Sequence, residues 1–180
     1  MRWYDNFNRV VPSWYLGDIA EVRTVTAENL PEYADVIRRS FLTVAQDFGW
    51  TRETAPGFRA YITDEELLAR YVVGYTPFAL FAGGKIAGFV SLTDKGGGVF
   101  VLNLLSVAPE YRHCGYGGKL LDFCKDRVRA LGGEKITLDY IEENTRLKSW
   151  YIANGFVHTG TQKLDYLPFT SGFMEWRAAQ

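Results

Sequence analysis

The sequence predicts one α/β domain, a central mixed β-sheet of about six or seven strands with helices on both faces. Three observations predict it. The apolar periodicity runs strand, helices, three strands, helix, strand, helix, two strands, a pattern of layers around one sheet. The run from Val99 to Val107 is apolar except for Asn103 and Ser106, as a central strand covered on both faces should be. The 180 residues, 47% hydrophobic and 23% charged, suffice for one domain with a sizeable core.

Residues 1–18 stand apart, with Trp3, Tyr4, Phe7, Trp14 and Tyr15 in a stretch of little periodicity. They read as an N-terminal extension packing its rings onto the domain at 19–180, or else as an aromatic wall beside a substrate. Ile19, Val22 and Val25 fit a first strand loosely, because strict alternation fails. Thr26 and Asn29 then offer caps to a helix opening at Leu30-Pro31, with Ala34, Ile37, Phe41 and Val44 as its apolar stripe. Residues 48–62, with Gly49, Pro56 and Gly57, read as loop. Thr63 and Glu66 form a capping box for a short helix to about Tyr71.

Apolar runs at 78–81 and 86–90 flank Gly83-Gly84, a hairpin signal. The central strand follows Gly96-Gly97-Gly98. A helix from about Gly117 places Leu121, Cys124, Val128 and Leu131 on one face. Residues 135–141 read as a strand, 145–154 as a helix, and 156–162 and 173–177 as two closing strands.

Twenty basic against twenty-one acidic residues leave a net charge of -1, without the basic footprint of a nucleic-acid binder. No stretch approaches the roughly 20 apolar residues of a membrane helix, and Met1-Arg2-Trp3-Tyr4-Asp5-Asn6 lacks signal-peptide character. Cys114 and Cys124 have no partners at metal-ligand spacing. These features predict a cytoplasmic protein without metal, nucleic-acid or membrane partners. No repeat or linker divides the chain, and a homodimer is left open.

Residues 109–120, Pro-Glu-Tyr-Arg-His-Cys-Gly-Tyr-Gly-Gly-Lys-Leu, join a buried strand to an amphipathic helix. Glycines at 115, 117 and 118 allow close backbone approach and positive φ. The first amides of a helix lack intrahelical partners and carry the positive end of its dipole. Together they suit a phosphate or pyrophosphate, although a glycine-rich turn can also be only a turn. Leu120 fails both a Walker loop, which needs Ser or Thr there, and a dinucleotide fingerprint, which needs Gly.

Arg112-x-x-Gly115-x-Gly117 resembles the Gln/Arg-x-x-Gly-x-Gly/Ala signature of the GNAT N-acetyltransferase superfamily. A second segment, Asn144-Thr145-Arg146-Leu147-Lys148-Ser149-Trp150-Tyr151-Ile152-Ala153-Asn154-Gly155-Phe156, is similar to that family's Asn-x-x-(apolar)-x-x-(aromatic)-Tyr-x-x-x-Gly-Phe motif. Singly, Asn144 reads as a helix cap, Tyr151 as a core aromatic and Gly155 as a C-terminal cap. Their joint spacing after the glycine loop makes the resemblance, which spans roughly 19–180 and is specific from 99 to 156.

The resemblance implies a GNAT-like sheet and acetyl transfer from acetyl-coenzyme A to a primary amine, on a small molecule or a peptide N-terminus, by direct attack in a ternary complex. It implies that Arg112, His113, Gly115, Tyr116, Gly117 and Gly118 hold the coenzyme A pyrophosphate, that the strand end at Leu105 and Val107 pairs with the pantetheine arm, and that Asn144 also serves the cofactor. It implies Tyr151 as general acid beside the thioester sulfur.

The base is open. On the fourth strand only Asn103 and Ser106 are polar and inward. Asp139 matches an acidic position in the branch that acetylates ribosomal-protein N-termini, against a bland reading as an exposed strand-end charge. A water chain or an amine arriving neutral would also serve. The rival from another class is a non-catalytic acyl-coenzyme A binding module. Residues 48–62 and 164–173 are the longest loop-like stretches and are expected to line the acceptor site.

Overall fold

The computed structural model describes residues 20–178, so the aromatic extension at 1–18 lies outside the described residues. Along the chain, β1 (Ala20–Thr24) leads to α1 (Leu30–Asp47) and α2 (Asp64–Val72). A meander follows, made of β2 (Tyr75–Ala82), β3 (Lys85–Asp94) and β4 (Val99–Val107). Then come α3 (Tyr116–Ala130), β5 (Lys135–Ile141), α4 (Thr145–Ala153), β6 (Val157–Lys163) and β7 (Thr170–Arg177). The strands form one seven-stranded sheet in the order β1-β2-β3-β4-β5-β7-β6. No helix among the described residues is long and apolar enough to cross a membrane.

Helices cover both faces, as the periodicity predicts. Leu30, Tyr33, Ala34 and Ile37 of α1 pack with Ala79, Phe89 and Leu104 of the sheet. On the opposite face Leu120, Leu121, Cys124 and Val128 of α3 pack with Phe100, Leu102 and Ile136. Each such large apolar side chain contributes about 1.5–3 kcal/mol of burial. Leu131 departs from the expected stripe: α3 ends at Ala130, and Leu131 is 54% exposed beyond its last turn.

The local signals act much as their chemistry dictates. Gly83 and Gly84 have φ of 56° and 77°, the doubly left-handed turn that matches the twist of a tight hairpin. Thr63 and Glu66 exchange both capping-box hydrogen bonds at the start of α2. The expected caps of α1 behave differently. The Thr26 hydroxyl donates to the Asn29 side chain at 2.7 Å, and neither caps the helix. Pro31 removes one of the amides that would need an acceptor.

All strand pairs are antiparallel except β4 and β5, and that pair is short. It comprises Val99 with Lys135, Phe100 with Ile136 and Val101 with Thr137. Beyond it β4 stays on β3 as far as Val107, and β5 stays on β7 as far as Ile141. The strands therefore diverge. Between Asn103 and Ser106 the β4 chain has one residue more than β3 opposite, and within this bulge Leu104 takes a left-handed φ of 55°. For a non-glycine residue that geometry costs about 1–2 kcal/mol and persists only where surrounding structure enforces it.

Gly88 of β3 lies under the start of α3. A Cβ there would stand 2.8 Å from Leu120 Cδ1 and 2.9 Å from the Ser106 carbonyl oxygen, so the helix seats where a side chain is missing. Gly88→Ala should lower unfolding free energy by about 1–3 kcal/mol through overpacking. Urea denaturation checks this. An unchanged midpoint would show that α3 does not depend on that contact.

Candidate active site

Where β4 and β5 part, they open a cleft of about 680 Å³. Leu102, Leu104 and Leu105 line one wall, and residues 138–141 of β5 the other. Asn144, Leu147 and Tyr151 of α4 close the inner end. Phe41 and Val44 of α1, residues 55–59 and residues 166–169 form the outer part, so both loop-like stretches picked out in the sequence reach the cleft.

The exposed edge of β4 beyond Val101 offers unpaired ladder positions to an extended chain, the physics of β-augmentation. Leu105 lies in the cleft wall. Val107 pairs with Gly88 and its carbonyl accepts from Arg112 Nε at 3.4 Å, so that group is already engaged.

At the strand's end the chain turns into α3. His113 and Gly115 both take positive φ, 62° and 78°, which turns successive amides toward one side. The backbone amides from His113 to Gly118 have no hydrogen-bond partner among the described residues, whereas that of Lys119 bonds the Gly115 carbonyl. An array of free amides at the positive end of a fifteen-residue helix has the make-up of an anion cradle.

Arg112 does not reach into it. Its guanidinium donates to the Ser40 carbonyl at 2.9 Å and to the Val107 carbonyl. Glu110 is held at 2.8 and 2.9 Å by Arg39 of α1. Arginine at 112 thus clamps the loop to α1. Gly117 serves packing, since a Cβ there would approach the Trp150 ring at 3.3 Å. Gly118 would have open space.

Asn144 caps α4, its side-chain oxygen accepting from the Leu147 amide at 3.0 Å, while the residue also lines the cleft. Glu142 fixes the approach to that helix, taking hydrogen bonds from Lys148 and Tyr140 that hold its carboxyl below the usual range. Tyr151, 6% exposed, packs edge-on against Trp150 and Phe156. Its hydroxyl borders the cleft and has no hydrogen-bond partner among the described residues. Burial, and then the negative field of Asp139, push its pKa up, so it keeps its proton over the working pH range.

Asp139 sits on the β5 face shared with Ile141, which packs against Ala45, Ala55, Phe58 and Ala60. Tyr140 points to the opposite face, in the core with Tyr151. Asp139 is exposed in the cleft wall and within electrostatic reach of Tyr151, so the two catalytic candidates face one space. Asn103 and Ser106 are spent internally, on Thr93 and the Val101 carbonyl and on the Leu104 carbonyl respectively.

The cleft adds residues that no sequence motif marks. Arg59, on a 3-10 turn (Arg59–Tyr61), lies in its wall. Phe58 meets Phe41, Trp50 and Phe169 edge-on at ring separations of 5.7, 5.1 and 6.4 Å. Their density of rings in loop segments was the available signal, and it has no periodicity.

The sequence model described as "Acetyltransferase (GNAT) family" matches residues 36–156, from α1 through the Gly-Phe after α4. The chain belongs to the GNAT acetyltransferase family. No curated protein sequence matches this GNAT chain. Solved structures with the same fold include the ribosomal-protein-S18-alanine N-acetyltransferase from Escherichia coli, at TM-score 0.72 and 17% identity, covering 90% of this chain and 96% of that one. PaiA N-acetyltransferase from Thermoplasma acidophilum, solved in complex with coenzyme A, superposes at TM-score 0.70 with 23% identity over 89% and 99% of the two chains. YncA from Salmonella typhimurium, solved with its cofactor acetyl-CoA, gives 0.68 and 16% over 91% and 96%.

Cys114 is exposed within the anion cradle, whereas burial pushes the Cys124 thiol up to about 12. A thiol reagent should therefore modify Cys114 rapidly and Cys124 only on unfolding, and coenzyme A should slow the first reaction. Gly118→Asp should leave the melting temperature in place and weaken coenzyme A roughly tenfold or more by setting a carboxylate against the phosphates. Calorimetry showing unchanged affinity in the folded variant would remove the loop from the binding site.

Proposed function

We propose that this GNAT protein transfers the acetyl group of acetyl-coenzyme A to a primary amine by direct attack in a ternary complex. The observation that carries the reading is Tyr151, kept protonated by burial and with no hydroxyl partner among the described residues, at the inner end of a cleft opened between β4 and β5. The loop amides of residues 113–118 suit the pyrophosphate, and the β4 edge suits the pantetheine arm. Acetyl-coenzyme A bound in this way would present its thioester to Tyr151.

An alkylamine has a pKa near ~10.4 and must lose a proton before attack. Asp139, on the acceptor side of the cleft, is the group placed to take it or pass it to solvent. The neutral amine nitrogen attacks the thioester carbonyl carbon, the C–S bond breaks, the thiolate takes the Tyr151 proton, and the proton that the acylated nitrogen still sheds passes through solvent to restore the Tyr151 hydroxyl. The products are the acetamide and free coenzyme A. Holding the two reactants in line supplies much of the acceleration.

Tyr151→Phe should leave coenzyme A binding and folding intact, because the ring supplies the packing, and should cut the turnover number by about 10²–10⁴-fold. The Michaelis constant for acetyl-coenzyme A should move little. Near-full turnover with chemistry rate-limiting would overturn the assignment. A purified protein that binds coenzyme A but releases no thiol with any amine would support a non-catalytic binding module instead. Asp139→Asn should lower the rate most at low pH, where fewer amines arrive deprotonated. Superposable pH–rate profiles would remove Asp139 from the mechanism.

A further inference from the structure

The acceptor end of the cleft is built from three unlike parts. One is an apolar recess formed by Phe41, Phe58 and Phe169, with the Trp50 ring 5.1 Å from Phe58 and 5.2 Å from Phe169. The second is the carboxylate of Asp139. The third is the guanidinium of Arg59, half-buried in the same wall.

Arg59 has five N–H donors, yet its one hydrogen bond among the described residues is from Nη1 to the Gly57 carbonyl at 3.2 Å. No carboxylate pairs with it, and Asp139 likewise has no ion-pair partner among the described residues. Near it is Arg70, whose guanidinium lies over the Tyr75 ring and donates from Nη1 to the Tyr75 hydroxyl at 3.4 Å, and whose buried Nε has no hydrogen-bond partner among the described residues. Arg59 feels the repulsion of Arg70 and, more weakly, the attraction of Asp139, with burial the largest influence lowering its pKa. A half-buried guanidinium with most of its donors unused beside an apolar recess is costly unless an anion arrives. A planar guanidinium in a cleft wall can match a carboxylate in two-point geometry.

We infer that the acceptor is a free α-amino acid with a large apolar side chain, its carboxylate on Arg59, its amine beside Asp139 and its side chain among Phe41, Phe58 and Phe169. This rests on the acetyl-transfer reading for what happens to the amine, though the carboxylate site itself does not. An α-amino acid carries its two charged groups on one carbon, as a cation site and an anion site facing one cleft require. A peptide N-terminus has the amine and the side chain but no neighbouring carboxylate, so it leaves Arg59 uncompensated.

The test is calorimetric titration of the coenzyme A-loaded protein with L-phenylalanine, L-phenylalaninamide and 2-phenylethylamine, with thiol release from acetyl-coenzyme A followed in parallel. The amino acid should bind roughly tenfold to a hundredfold tighter than either uncharged-end analogue, the range of a charged hydrogen-bond pair. Arg59→Gln should erase that preference without weakening the two analogues, and Arg59→Lys should restore part of it. Equal binding of acid and amide, binding of none of the three, or a preference that survives Arg59→Gln would each overturn the inference. Amino-acid binding through Arg59 without thiol release would uphold the carboxylate site and sink the acetyl-transfer reading. Turnover of amide and acid at equal efficiency would do the reverse.

Discussion

The early end of the ladder between β4 and β5 is the constraint on which the rest of the molecule depends. A parallel pair that continued past Val101 and Thr137 would seal the sheet and leave no cleft. The bulge that carries Leu104 into left-handed geometry bends β4 while it remains bonded to β3, and β5 is held by β7. The backbone strain is thus enforced by well-made sheet on either side. It leaves β4 with a strand edge inside the protein, where bulk water cannot serve it well and an extended ligand can.

The two ends of that opening have opposite electrostatic character. At the α3 end, uncommitted amides and a helix terminus favour negative charge, and the clamps from Arg39 and Ser40 of α1 set the loop's shape before any ligand arrives. At the α4 end, burial keeps Tyr151 neutral. A Cβ on Gly117 would stand 3.3 Å from the Trp150 ring, so α4, which carries Tyr151, comes close to the first turn of α3 where a side chain is missing.

Features were legible in the sequence where local backbone chemistry decides them. The Gly83-Gly84 turn, the Thr63–Glu66 capping box, the bounds of β5 and the glycine loop are short-range facts, written in residues that few other conformations suit. The Asn144–Phe156 segment was readable because a helix fixes its spacings. The bulge was hidden, since leucine has no preference for the φ it adopts at 104, and only tertiary packing puts it there. Leu131 misled because an apolar residue in phase with a helix stripe can fall just past the helix end. Arg59 and the rings around Phe58 meet β5 only through a fold-level approach of segments about eighty residues apart, and no periodicity encodes such a meeting.

A cradle made of main-chain amides has a consequence for sequence drift. Such amides belong to every amino acid except proline, so the exposed Cys114 side chain is free to change so long as the turn keeps its path. What the loop demands is the absence of bulk at 117 against the Trp150 ring, left-handed geometry at 113 and 115 and the tether from 112 to α1. Tolerance to substitution along the loop should thus follow backbone geometry and packing, where in a site built from side chains it would follow their chemistry.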